Sequence, residues 1–218
     1  MKPRFWLERW QNDQIGFHQA DYNPVLLKFW SSLHLTSGAK VFVPLCGKSL
    51  DMRWLESQGY EIVGVEIARQ AIDHYFHDES EVRSKVVDRF TSYRGHHTEI
   101  LQGDFFDLMT PLLSGVEAVF DRAALVALPP DMRVRYADHM LRIIPDGAKI
   151  LLITLEYDQG LVDGPPHAVD AQEVEGLYGR RCDVVLLDAF ITTALPPHFE
   201  KQGVGEAIER VYKITKRE

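Results

Sequence analysis

The sequence predicts an α/β fold with a mostly parallel sheet and helices on both of its faces, and three observations support that class. Short runs rich in Val, Ile, Leu and Phe recur along the 218 residues, as expected for parallel strands buried on both sides. Segments with helical spacing of apolar residues lie between most of these runs, and such alternation is typical of parallel sheets. The last two runs are joined without a helix, which predicts an antiparallel pair at the edge of the sheet.

Each element has its own local signal. The apolar segments predicted as strands are, in chain order, KVFVPL, EIVGVE, EILQGDF, VEAVFD, AKILLITL, DVVLLDAF and AIERVYKIT. Ser49 is a favourable first residue for a helix that follows the first strand and ends before Gly59. A second helix is predicted over 68–76. A third begins at position 130 or 131 and ends at the Pro-Asp-Gly turn of 145–147.

The first 35 residues lie outside this alternation. Their pattern is helical and rich in aromatic residues, and Asn23-Pro24 predicts a new helix start within them. We interpret the segment 1–35 as an N-terminal helical cover on the sheet, within a single domain of residues 1–218.

Composition and charge narrow the class of partner. The hydrophobic fraction of 45% is enough for one sizeable core. The formal charge is −8, which disfavours a nucleic-acid or anionic-membrane partner, and a small-molecule partner is expected. Cys46 and Cys182 are the only cysteines, which predicts a reducing compartment. The charged start MKPRFWLERW is unlike a signal peptide, and no apolar run has membrane-spanning length. We expect a soluble, cytoplasmic protein, with a monomer as the default.

A Gly-Lys-Ser sequence follows the first predicted strand. A phosphate loop needs a further glycine five residues before Gly47, and Phe42 occupies that position. The dinucleotide fingerprint with three glycines is also missing, since Gly47 is the only glycine of this turn. Lys48 is therefore interpreted as a solvated residue at a helix start.

Glu66 ends the second predicted strand, 19 residues after Gly47. This is close to the ~20-residue spacing at which an acidic side chain meets a ribose diol. A carboxylate placed to bind a ribose, in a sequence that has no phosphate-binding loop, indicates a nucleoside ligand without phosphates, namely S-adenosylmethionine. The alternative is that Glu66 is a solvated carboxylate at the end of a strand.

Several long segments resemble one family. WLERWQNDQIGFHQ, VFVPLCGKSLDMRWL, GYEIVGVEIARQAI, VFDRAALVALPPDMRVRYADHM and LEYDQGLVDGPP are similar to the thiopurine S-methyltransferases, in their bacterial branch. The resemblance implies a class I, Rossmann-like methyltransferase fold with seven strands, of which the last is antiparallel. It also implies transfer of the methyl group of S-adenosylmethionine to aromatic or heterocyclic thiols such as thiopurines, without a metal.

The resemblance implies two sets of site residues. The expected cofactor contacts are Trp10, Leu45, Gly47, Glu66, Gly103, Asp104, Phe105 and Arg122. The expected acceptor contacts are Phe17, His18, Arg122 and His167; the last follows a Gly-Pro-Pro sequence where the family usually has an aromatic residue.

Simpler interpretations stay open for some of these residues. Trp10 is also typical of ordinary core packing, Arg122 of an ion pair with Asp121, and Asp104 of a turn cap. The pairs His96-His97 and His74/His77 lack accompanying ligands at metal-site spacing, so no metal is predicted.

The sequence offers no obvious general base, which favours an acceptor that is already partly thiolate at neutral pH. The segment FDRAALVAL also lacks the signature of amino-group methyltransferases. Two alternatives remain: methylation of selenium or tellurium species, and a non-catalytic S-adenosylmethionine-binding protein.

Overall fold

A computed structural model describes residues 3–218, and one nine-stranded sheet forms its centre. The strands are β1 (Lys40–Val43), β2 (Glu61–Glu66), β3 (Arg83–Val87), β4 (Phe90–Arg94), β5 (Thr98–Gln102), β6 (Val116–Asp121), β7 (Lys149–Glu156), β8 (Cys182–Thr192) and β9 (Ala207–Lys216). Their order across the sheet is β3-β4-β5-β2-β1-β6-β7-β9-β8.

Seven α-helices accompany the sheet within residues 3–218. They are α1 (Pro3–Gln11), α2 (Pro24–Phe29), α3 (Leu50–Ser57), α4 (Arg69–Tyr75), α5 (Pro130–Ile143), α6 (Ala171–Tyr178) and α7 (Pro197–Lys201). Two predicted helix starts are confirmed in detail. The Asn23 side chain accepts hydrogen bonds from the backbone N–H groups of Val25 and Leu26, and the Ser49 hydroxyl accepts one from Asp51.

The centre of the sheet is parallel, as predicted. β1 pairs in parallel with β2 and β6, β2 with β5, and β6 with β7, while β9 runs antiparallel to both β7 and β8. All seven predicted strands are present, but the expected number of strands is wrong. β3 and β4 form an additional antiparallel hairpin beside β5. The side chains of β3 are mostly exposed, so this strand lacks the continuous apolar run by which the others were identified.

Helices cover both faces because side chains alternate along each strand. Phe42 and Val119 point to the face covered by α5 and α6, whereas Val41 and Phe120 point to the face covered by α2, α3 and α4. The parallel strands β1, β2, β5, β6 and β7 therefore end at one edge of the sheet, between the two helical layers.

The N-terminal segment lies over that edge. Trp10 of α1 is buried against Ala68 and Ala71, which flank the start of α4. Residues of the N-terminal segment therefore lie at the carboxyl edge of the strands. No helix within residues 3–218 is long and apolar enough to cross a membrane.

Candidate active site

A cavity of about 750 Å³ opens at the carboxyl edge of the parallel strands. Its size falls in the range typical of small-molecule sites. Every predicted site residue except His167 lines it, namely Trp10, Phe17, His18, Leu45, Gly47, Glu66, Gly103, Asp104, Phe105 and Arg122. The two predicted sets of residues therefore share one cavity.

The turn after β1 forms part of the cavity wall in an unusual backbone conformation. Leu45 has φ = 46° and Gly47 has φ = 54°, both in the left-handed region. A Cβ atom on Gly47 would lie 3.2 Å from Cζ2 of Trp10, so the glycine also lets the indole approach the backbone. Lys48 also lines the cavity. The sequence analysis treated it only as a solvated residue at a helix start.

Glu66 is buried, at 5% exposure, and its carboxylate ties two backbone segments together. Oε2 accepts a hydrogen bond from the Gly47 N–H at 2.9 Å, and Oε1 accepts one from the Ala68 N–H at 2.7 Å. Burial raises the pKa of this carboxyl, and the backbone hydrogen bonds oppose that rise. The alternative of a solvated carboxylate is wrong, because Glu66 is an ordered part of the cavity wall.

The segment after β5 closes the side of the cavity next to Glu66. The Gly103 N–H donates to the Glu66 carbonyl at 3.0 Å, and a Cβ atom on Gly103 would lie 2.4 Å from Cδ1 of Phe90. Asp104 accepts from the Phe106 N–H at 2.9 Å, so it caps a turn as well as lining the cavity. The Phe105 ring stacks on Tyr136, with centroids 4.6 Å apart.

Arg122 follows β6 directly and also lines the cavity. Its guanidinium donates to the Phe17 carbonyl at 3.3 Å and lies 3.7 Å from Oδ2 of Asp51. Burial lowers its pKa, and Asp51 and then Glu209 oppose that effect. The expected alternative of an ion pair with Asp121 is wrong. Asp121 instead accepts a hydrogen bond from the Tyr136 hydroxyl at 2.7 Å.

Ten residues of the N-terminal segment line the cavity, and the three predicted ones, Trp10, Phe17 and His18, are among them. The rings of Trp10 and Phe17 meet edge to face with centroids 5.7 Å apart. Burial lowers the pKa of His18, and the charges of Lys48 and Arg122 lower it further. Both effects favour the neutral form of the imidazole, while the charge of Asp51 opposes them.

His167 lies behind the cavity wall, in the loop between β7 and α6. The backbone N–H of His167 donates to the Val126 carbonyl at 2.6 Å. The His167 ring is so close to Gly164 that a Cβ atom on Gly164 would lie 2.6 Å from the ring Nδ1. Pro165 and Pro166 line the cavity instead. The structure thus gives no support to the predicted acceptor contact of His167.

Two carboxylates of the site escaped the sequence analysis. Asp51 is 2% exposed and accepts from the Asn23 N–H at 2.7 Å and from the Ser49 hydroxyl at 3.1 Å. It thereby links the N-terminal cover to Arg122. Its local signal indicated only a helix start. Glu209 of β9 also lines the cavity, and no local pattern marks it as different from other strand residues.

Within the described residues, no group of three or more His, Cys, Asp and Glu side chains is placed to hold a metal ion. His97 instead contacts Glu61, with Nδ1 and Oε1 2.9 Å apart.

Comparisons with known proteins identify the family. The family model described as thiopurine S-methyltransferase (TPMT) matches residues 1–217. The chain belongs to the thiopurine S-methyltransferase family. A probable thiopurine S-methyltransferase of Yarrowia lipolytica is 47% identical over 99% of this chain and 100% of the relative. The thiopurine S-methyltransferase of Nitrosospira multiformis is 43% identical over 100% of this chain and 99% of its own.

Solved structures support the fold of this family member. A 1,6-didemethyltoxoflavin-N1-methyltransferase of Burkholderia thailandensis, solved with S-adenosylhomocysteine, aligns with a TM-score of 0.66 over 99% of this chain and 87% of its own. An S-adenosylmethionine-dependent methyltransferase of Methanosarcina mazei aligns with a TM-score of 0.63 over 90% and 99%. At 12% and 16% identity these likenesses concern the fold alone, and the predicted methyltransferase fold is confirmed.

Proposed function

We propose that this protein transfers the methyl group of S-adenosylmethionine to the sulfur of aromatic or heterocyclic thiols such as thiopurines. One observation carries the proposal: in a member of the thiopurine S-methyltransferase family, one cavity holds a buried carboxylate at the end of β2 and a largely buried guanidinium after β6. The first suits a ribose and the second suits an anionic sulfur.

The cofactor half of the cavity is formed by the turn after β1, the end of β2 and the segment after β5. Glu66 has two carboxylate oxygens that each retain a lone pair beyond their backbone hydrogen bond, and these can accept from the ribose hydroxyls. Phe105 supplies an apolar surface for the adenine. The aromatic face of Trp10 suits a positively charged sulfonium.

When bound, S-adenosylmethionine supplies an electrophilic methyl group, and the acceptor sulfur forms a bond to that carbon as the bond to the sulfonium breaks. The protein contributes mainly by holding the two reactants in line. Arg122 stabilises the thiolate form of the acceptor by charge and hydrogen bonding. His18 and the rings of Trp10 and Phe17 line the cavity and help to exclude water from it.

The proposal also covers the compartment, the oligomeric state and the class of partner. We infer a cytoplasmic monomer that acts on small molecules. Cys46 and Cys182 are both buried and unpaired, which suits a reducing compartment. The net charge of −8 disfavours a nucleic-acid partner.

Transfer of a labelled methyl group from S-adenosylmethionine to 6-mercaptopurine tests the proposal. We expect turnover by the native protein and a loss of about 10- to 100-fold in kcat/KM for Arg122→Ala, because a charge-assisted hydrogen bond is removed. Arg181→Ala is the matched control, since Arg181 forms an exposed ion pair with Asp138 away from the cavity. Absence of transfer by native protein that binds the cofactor would refute the proposal, and equal turnover of Arg122→Ala would refute the role of Arg122.

A further inference from the structure

The cavity extends beyond the proposed cofactor half, toward the neighbouring strands β7 and β9. Ile153, Thr154 and Leu155 of β7 line this part, together with Glu209 of β9. Arg122 lies on the same side, because β6, β7 and β9 are consecutive in the sheet. Arg122 and Glu209 both border this acceptor half, and Asp51, which lies 3.7 Å from the Arg122 guanidinium, lines the same cavity.

The register of the strands fixes the position of Glu209. It pairs with Leu155 near the carboxyl end of β7, while Asp121, the residue before Arg122, pairs with Leu152 of the same strand. Arg122 and Glu209 therefore border the same cavity with one strand between them. Burial raises the pKa of Glu209 and lowers that of Arg122, and the charge of each residue opposes this effect on the other, so the two charges attract each other across the gap.

Glu209 differs from the other carboxylates of this region in its lack of a donor. Asp51 accepts two hydrogen bonds, and Glu156 on β7 is held by Arg210. Within residues 3–218, no side chain or backbone N–H donates to the Glu209 carboxylate, although this side chain is only partly exposed. A half-buried carboxylate without a protein donor is suited to accept a hydrogen bond from a ligand.

We propose that Glu209 is a specificity-determining residue, whose carboxylate accepts a hydrogen bond from a ring N–H of a heterocyclic thiol while Arg122 faces the anionic sulfur. The inference rests on the proposed function and narrows its substrate class. Acceptors with a ring N–H are favoured, whereas acceptors with a second negative charge, such as oxyanions and aryl thiols bearing a carboxylate, are disfavoured by like charge.

The Glu209→Gln variant, assayed with two acceptors, tests this inference. 6-Mercaptopurine has ring N–H groups and no charged substituent, whereas 2-mercaptobenzoate has no ring N–H and carries a carboxylate. We expect kcat/KM for mercaptopurine to fall about tenfold, because a charge-assisted hydrogen bond becomes a neutral one. For mercaptobenzoate we expect kcat/KM to rise, because the like charge is removed.

The ratio of the two kcat/KM values is the decisive quantity, because any loss of folded protein cancels when both acceptors are measured on the same preparation. The matched control is Glu156→Gln, which neutralises a carboxylate on the adjacent strand outside the cavity wall and is expected to leave the ratio at its native value. An unchanged ratio in Glu209→Gln, with native turnover of both thiols intact, would overturn this inference alone. Absence of native turnover with both thiols would overturn the proposed function itself.

Discussion

Replacement of Glu66 by Gln is the most direct test of the cofactor half. The carboxylate accepts from two backbone N–H groups, of Gly47 and Ala68, at 2.9 and 2.7 Å. In Glu66→Gln one carboxylate oxygen is replaced by an NH₂ group, which cannot accept a hydrogen bond. The backbone N–H of either Gly47 or Ala68 then loses its acceptor. An unsatisfied buried donor costs about 1–3 kcal/mol, so the free energy of unfolding should decrease by that amount.

Cofactor affinity should decrease in addition to stability. A ribose diol would lose one of its two charged acceptor oxygens, and a hydrogen bond to a charged group is worth about 1.5–3 kcal/mol. This corresponds to a rise of about 10- to 100-fold in the Kd for S-adenosylhomocysteine. Isothermal titration calorimetry measures this Kd on folded protein, and urea denaturation measures the loss of stability separately.

The matched control lies at the other end of the same strand. Glu61 is exposed and contacts His97, far from the cavity wall, so Glu61→Gln should leave the Kd unchanged. A Glu66→Gln protein that binds S-adenosylhomocysteine within twofold of the native Kd would refute the assignment of Glu66 to the ribose. A lower unfolding free energy with native affinity would mean that the carboxylate only holds the turn.

Two further predictions concern stability. Gly103→Ala should destabilise the fold by about 1–3 kcal/mol, since its Cβ would lie 2.4 Å from the buried ring of Phe90. Burial raises the pKa of Asp121 from 3.8 to about 6, so its contribution to stability decreases by about 2 kcal/mol as pH rises from 4 to 6. Asp121→Asn removes that titration. The unfolding free energy of the variant should therefore increase relative to that of the native protein as pH rises from 4 to 6.

Urea denaturation checks both predictions. Gly176→Ala is the control for Gly103→Ala, because nothing lies within 4 Å of a Cβ at this position of α6. It should be neutral or stabilising by up to about 1 kcal/mol. Equal stability of the two alanine variants would contradict the packing argument. For Asp121, unfolding free energies of the native and variant proteins that stay parallel between pH 4 and 6 would contradict the raised pKa.

Local signals were sufficient for most of the fold. The strands from β5 to β9 across the sheet are buried on one or both faces, and their apolar runs identified them. The edge strand β8 also has an apolar run, although most of its side chains are at least partly exposed. The caps Asn23 and Ser49 located two helix starts. The hairpin of β3 and β4 was missed because β3 is an edge strand with exposed side chains. An edge strand gains its place from backbone pairing with β4, and no apolar pattern is needed for that.

The site was predictable where its residues follow strands directly, and unpredictable where they meet across the fold. Glu66 and Arg122 each end a buried strand, a position at which ligands of α/β sheets bind. The pairing of Arg122 with Asp51 rather than with its neighbour Asp121 depends on the direction in which each side chain leaves the backbone. The position of Glu209 depends on the register of β9 against β7, which the sequence of β9 alone does not determine.

Two turns that line the cavity contain a residue in a strained backbone conformation. Five non-glycine residues of the described chain have positive φ, and three of them are Asp or His, which tolerate this region well. The other two are Leu45 and Ala123, and both line the cavity, after the adjacent strands β1 and β6.

Such residues cost about 1–3 kcal/mol each and persist only where neighbouring contacts hold them. Here the Cys46 N–H donates to the Val65 carbonyl at 3.0 Å, and the Leu125 N–H donates to Asp121 at 3.1 Å, so each strained residue lies next to an anchored segment. The Gly-Lys-Ser sequence marks the first of these turns, and its strain serves to bring Gly47 against Trp10 and Glu66 rather than to surround a phosphate. The same two strand ends that carry this cost hold the turn beside Glu66 and the guanidinium of Arg122, so the strain lies where the proposed cofactor half and the proposed acceptor half would meet, between β1 and β6.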